Sequence, residues 1–149
     1  MKKVRPANEE ELQRREAIGT IRASRFVRGY AKSKEHIDVQ AICKIHREIF
    51  RDAWPEIAGV YRDENLKITY SKHLPPHYSR VADEMDIFNS ELEEKLKTLK
   101  SVQGVLELFY KNLSEKEFKM FNDIIDVAAW IHHKTTNIHP FRDGNGRTA

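Results

Sequence analysis

The sequence predicts an all-α domain with one small β excursion. Three observations carry that prediction. Apolar residues recur at steps of three and four through most of the chain, capping patterns led by Asn8 and Ser114 open two of the helices, and a single stretch, 66–74, concentrates β-branched and aromatic residues. The 149 residues are enough for one domain with a real core. With 40% apolar and 33% charged residues but only 6 Gly and 5 Pro, the composition excludes a disordered or low-complexity chain.

In chain order, residues 8–30 read as a helix, because Asn8 can cap and Glu11 follows three residues later. This helix forms an N-terminal extension, 1–34, to a domain spanning 35–149. From Asp38 to Phe50, the residues Val39, Ile42, Ile45 and Ile49 share one helix face, which places His46, Arg47 and Glu48 mostly outside. A loop rich in breakers follows, with Trp54-Pro55 and Ala58-Gly59. LKITYSKHL, 66–74, runs into Pro75-Pro76 and predicts at most a small hairpin. Tyr78, Val81, Met85, Phe88, Leu92, Leu96 and Leu99 then mark the clearest helix, and Val102–Lys111 a shorter one. Ser114-Glu115-Lys116-Glu117 is a capping box opening a helix with Phe118, Phe121, Ile124, Ile125, Ala128 and Ile131. Its apolar circumference predicts the central, buried helix, ending near Lys134–Asn137.

The densest chemistry follows directly: His139-Pro140-Phe141-Arg142-Asp143-Gly144-Asn145-Gly146-Arg147. Gly144 and Gly146 flank Asn145, so the backbone can take positive φ and turn N–H groups inward as an anion nest. A helix beginning near Arg147 would add its N-terminal dipole. Asp143 offers a hard oxygen suited to Mg²⁺, and Arg147 a guanidinium for phosphate. His139 has the proton affinity to take a proton from an attacking hydroxyl. Phe141, among charged and turn residues, would anchor the loop by burying its ring. DGNG alone is usually a turn, and a calcium loop is excluded because the DxDxDG pattern and distal Glu are missing.

This string resembles the Fic-domain signature HxFx(D/E)GNGRxxR at every position present. The segment 42–50 followed by Ala58-Gly59-Val60-Tyr61-Arg62 resembles the family's "LHxxLF, then AGxYR" region. The resemblance implies a Fic-like helical domain over roughly 35–149, with 66–74 as a hairpin flap that docks a target segment through Ile68, Thr69 and Tyr70. It also implies transfer of AMP from ATP to a Ser, Thr or Tyr hydroxyl of a protein, with release of pyrophosphate. By resemblance, His139 is the general base and Asp143 holds Mg²⁺ against the α- and β-phosphates. Gly144, Asn145 and Gly146 form the anion hole, Arg147 contacts the phosphates, and Phe141 belongs to the nucleotide-binding loop. Relatives of the Doc type, which transfer phosphate, carry Ala and Lys where this chain has Gly144 and Gly146. UMP and phosphocholine are alternative donor groups within the family.

The signature ends in a second arginine, which would be residue 150, whereas the sequence ends at Ala149. The expectation is therefore a domain lacking its C-terminal helices, with weak or no transfer by these 149 residues alone. The family's inhibitory pattern [S/T]xxxE[G/N] is absent, since Glu64-Asn65 has Val60 four residues before it. Inhibition would then come from a separate antitoxin or a C-terminal segment. The remaining partners are the hydroxyl-bearing target protein and, where the chain self-associates, a second copy.

Two other function classes are compatible with the sequence: a non-catalytic Fic remnant acting as a binding module, and a basic helical nucleic-acid binder. The net charge of +3 and pI of about 8.9 favour the latter only weakly, because no stacking aromatics interleave with the basic residues. His132 and His133 diverge by about 100° on a helix and make a poor metal pair. Cys43 is the sole cysteine and no apolar run spans a bilayer, so the expectation is a cytoplasmic protein, a toxin or an effector delivered into a host cell.

Overall fold

The computed structural model describes residues 4–33, 35–99 and 113–149. The helix expected at 102–111 lies outside the described residues. The elements are α1 (Glu9–Ser33), α2 (Val39–Phe50), a 3₁₀ turn at Tyr78–Arg80 leading into α3 (Val81–Thr98), α4 (Glu115–Ile138) and a single turn, α5 (Asn145–Thr148). No strand forms among the described residues, so the domain is all-α.

The caps act as their chemistry requires. Asn8 Oδ1 accepts from the Glu10 N–H at 2.8 Å, while Glu11, instead of reaching back to Asn8, pairs with Arg14 and Arg15. Asp38 caps α2 by accepting from the Ala41 N–H at 3.1 Å. At Ser114 both arms of the capping box are present.

The central helix is α2 rather than the one expected at 115–134. Seven of its twelve residues are buried, and it lies between two apolar clusters. On one side Ile42 and Cys43 meet Val81, Met85, Phe88 and Leu92 of α3, with Ile138 and Phe141. On the other, Ile49 and Phe50 meet Leu12 and Ala23 of α1, with Ala53 and Ile57. Gly19 permits the α1–α2 contact, since a Cβ there would sit 1.9 Å from the Ile49 carbonyl oxygen. Arg22 closes the seam by donating to the Glu48 carbonyl from Nε and Nη2, and to Asp52 Oδ2 at 2.6 Å from Nη1.

In α4, only Thr135 and Ile138 are buried, and Phe118 and Ile125 are 56% and 47% exposed. The helix meets α3 through its second half, where Trp130 packs edge-on to Phe88. Periodicity reports how much apolar surface a helix carries, not which neighbour covers it. The other difference concerns 66–74. It folds as irregular backbone around a turn at Thr69–Tyr70, with the Ser71 N–H bonded to the Ile68 carbonyl and Tyr70 at φ +60°. Pro75 and Pro76 bring no N–H donors to a ladder, and no other strand is present among the described residues to support a lone hairpin.

Candidate functional site

The site is the loop 139–147, between α4 and α5. His139 ends α4 in a left-handed conformation, φ +53° and ψ +59°, with its N–H on the Thr135 carbonyl at 3.0 Å. Pro140, which has no N–H, then turns the chain away from the helix. Phe141 drives its ring fully into the core and stacks on His46 at 3.9 Å between centroids. Asn145 locks the loop from the other end: its Oδ1 accepts from the Phe141 N–H at 2.8 Å and its Nδ2 donates to the Phe141 carbonyl at 2.7 Å.

Gly144 sits at φ +75°, and a Cβ there would lie 2.2 Å from the Phe50 ring, so both conformation and space require glycine. Gly146 differs from expectation. It lies within the helical turn rather than at positive φ, and a Cβ on it would meet nothing within 4 Å. The helix also starts at Asn145 instead of near Arg147. One turn therefore closes, with the Thr148 and Ala149 N–H groups bonded to the Gly144 and Asn145 carbonyls at 3.1 Å each.

His139 is half-buried. Its Nδ1 lies 3.3 Å from the Thr136 carbonyl oxygen, which can only accept, so Nδ1 carries the proton and Nε2 keeps its lone pair. Burial, followed by the cations near it, holds its pKa below the ordinary imidazole value of 6.5. Asp143 is exposed, and its Oδ1 takes contacts from the Gly144 N–H at 2.6 Å and Arg147 Nη2 at 3.1 Å. Arg147 also pairs with Glu16 of α1 and lies over the Phe50 ring. Three of the loop side chains are thus buried: Pro140, Phe141 as a core anchor, and Asn145, whose amide is engaged with backbone. His139, Asp143 and Arg147 retain exposed surface, as do Ile68, Thr69 and Tyr70 on the segment 66–74.

Four residues, His46, Gly59, Arg62 and Glu16, shape the loop in ways the sequence does not assign to them. His46, expected on the outer side of α2, is fully buried between Phe50 and Phe141. Its Nδ1 accepts from the Gly59 N–H and its Nε2 donates to the Asp143 carbonyl, both at 2.9 Å. Gly59, at φ +75°, aims that N–H. Arg62 donates to carbonyls at the end of α4, and Glu16 reaches Arg147 from α1. The signal for His46 was its step of four from Ile42, which puts it near the apolar stripe. Nothing in the spacing marks Glu16. His132 and His133 are exposed on α4, and among the described residues no group of three His, Cys, Asp or Glu is placed to hold a metal ion.

A helical body that presents a histidine, a carboxylate, a glycine turn and an arginine on one loop after a capped helix defines a Fic-type scaffold. The chain belongs to the Fic/DOC family, whose profile matches residues 36–149. It is 32% identical over 139 residues to a protein adenylyltransferase Fic of Nematostella vectensis, covering 93% of this chain and 27% of that protein. It is 30% identical over 138 residues to the protein adenylyltransferase fic-1 of Caenorhabditis elegans, covering 90% and 22%. Two solved structures of Fic-1 from C. elegans match 97% of this chain and 36% of theirs, with TM-scores of 0.58 and 0.62 at 28% and 27% identity. The chain spans about a quarter of the length of these curated relatives. No helix among the described residues is long and apolar enough to cross a membrane.

Proposed function

We propose that this chain carries the centre of a protein adenylyltransferase, which moves AMP from ATP to a Ser, Thr or Tyr hydroxyl of a target protein. The observation that carries this reading is the geometry of His139: Nδ1 faces the Thr136 carbonyl, which leaves Nε2 with its lone pair, and burial of the ring disfavours the imidazolium. In the proposed step, the target hydroxyl oxygen forms a bond to the α-phosphorus while its proton passes to Nε2 of His139. The bond from the α-phosphorus to the bridging oxygen breaks, and pyrophosphate leaves with its electron pair.

Asp143 would hold Mg²⁺. A single, exposed carboxylate suits an ion that keeps waters and takes further oxygens from substrate phosphates, and the ion would supply positive charge against them. The N–H groups around Gly144–Gly146 and the guanidinium of Arg147 would complete the positive potential around the phosphates. The turn at Ile68–Tyr70, with Thr69 and Tyr70 exposed and Ile68 half-buried, would meet the target, its backbone accepting an extended segment.

The test uses ATP labelled at either the α- or the γ-phosphate, with Mg²⁺, and reads label on the chain itself or on added protein. Transfer of α-label alone, lost in His139→Ala, is the expected result. Transfer of γ-label would make the activity phosphate transfer instead. α-Label unchanged by His139→Ala would reject His139 as the base.

A further inference from the structure

We propose that Arg62 is the positioning residue of this centre: it clamps the end of α4 to the end of the 66–76 segment and so sets how His139 is presented. This inference rests on the reading of His139 as the base.

The geometry is unusual for an arginine. The residue is only 4% exposed, and no carboxylate among the described residues pairs with it. Its partners are carbonyl oxygens. Nε donates to His139 at 2.8 Å, Nη2 to Pro76 at 2.5 Å and, more distantly, to Ile138 at 3.5 Å, and Nη1 to Glu64 at 2.9 Å. Its backbone N–H donates to the Pro140 carbonyl at 2.8 Å. One residue therefore holds three consecutive carbonyls, 138 to 140, at the negative end of a long helix.

That stretch needs holding. His139 is one of two non-glycine residues at positive φ among those described, a strained conformation that persists only where its surroundings impose it. A planar fork can grip several carbonyls in fixed directions, whereas an ammonium on a flexible stem cannot. The bond to Pro76 ties the same fork to the arm that carries Thr69 and Tyr70. The loop's histidine and the proposed target-docking turn thus share one anchor.

The charge matters as well as the shape. The groups facing the His139 ring are Arg62 from the loop after α2, His73 from the 66–76 segment, Asp143 from its own loop and the Thr136 carbonyl from α4. Arg62 and His73 disfavour the imidazolium, while Asp143 and the carbonyl favour it. Arg62 is the permanent cation of this set, and it is largely desolvated.

The experiment compares Arg62→Met, Arg62→Lys and the parent chain by NMR of the His139 ring, which needs no activity, and by kinetics of α-label transfer. The parent should show the Nδ1–H tautomer and titrate below 6.5. In Arg62→Met the titration should move up toward the ordinary imidazole value and the tautomers should mix. Arg62→Lys keeps the charge and loses the fork, so its titration should stay near the parent's while its tautomers mix. Measured where His139 is neutral in all three, kcat should fall about ten-fold or more in both variants with KM for ATP unchanged. A folded Arg62→Met with the parent's tautomer and titration overturns the proposal. If Arg62→Met does not fold, Arg62→Lys decides, and a parental tautomer there overturns it equally. Should the parent transfer no label at all, the adenylyltransferase reading fails while the NMR arm still judges the clamp.

Discussion

Replacing His46 by Phe tests how the loop 139–147 is held from beneath. The ring would keep its place between Phe50 and Phe141, at centroid distances of 4.6 and 3.9 Å, so the packing changes little. What is lost is both hydrogen bonds, leaving the Gly59 N–H and the Asp143 carbonyl without their partner in a site where His46 itself is fully buried. Stranding a buried donor or acceptor costs about 1–3 kcal/mol, so the pair predicts a loss of about 2–6 kcal/mol at neutral pH. There is also a signature in pH. Burial lowers the His46 pKa from 6.5 to about 4, so between those values the unfolded chain binds a proton that the folded chain refuses. Stability from the neutral ring is fully present above pH 6.5 and is lost as pH falls toward 4, by about 3 kcal/mol across that window. Urea unfolding, followed by the fluorescence of Trp54 and Trp130, should therefore show His46→Phe as less stable at pH 7.5. The gap to the parent should narrow as the pH is lowered to 4.5. Equal stability at pH 7.5, or a gap that does not change with pH, would refute the reasoning.

Gly144→Ala should destabilise the chain by about 2–5 kcal/mol, because the new methyl meets the buried Phe50 ring and the backbone must hold φ +75°; Gly146→Ala, with open space, should cost under about 1 kcal/mol in the same urea assay. Ser114→Ala removes one arm of the capping box and should cost about 1 kcal/mol, with faster amide exchange confined to the first turn of α4. Glu16→Gln releases Arg147 from an ion pair with a carboxylate of α1. It should tighten ATP binding measured by calorimetry, most visibly at low salt, and unchanged affinity would show that Arg147 does not meet the phosphates.

Much of the architecture was legible because it is local. The capping box at Ser114 and the stripe Val81, Met85, Phe88 and Leu92 both express interactions within a few residues of sequence. The chemistry of the loop was legible for the same reason, since histidine, carboxylate, glycines and arginine lie within nine positions. Two expectations failed where neighbours decide. Residues 66–74 have strand-forming side chains but no described strand to pair with, and α4 carries apolar residues that the described body leaves exposed. The Gly144–Gly146 pair looked symmetric in sequence, yet only Gly144 is confined by Phe50, a residue 94 positions away.

The sequence by itself determined a mainly helical chain of the Fic/DOC family and the identity of every group on the loop 139–147, because helix periodicity and a contiguous motif are written in short-range order. Only the tertiary structure decided which side chains on that loop face outward. It turned Phe141 and Asn145 inward, set His46 beneath Asp143 and brought Arg62 to the carbonyls of residues 138–140. The contacts of His46 and Arg62 join residues 76 to 97 positions apart. They exist because burying two apolar faces of α2 brings His46 and the loop that follows the helix against the segment 138–143.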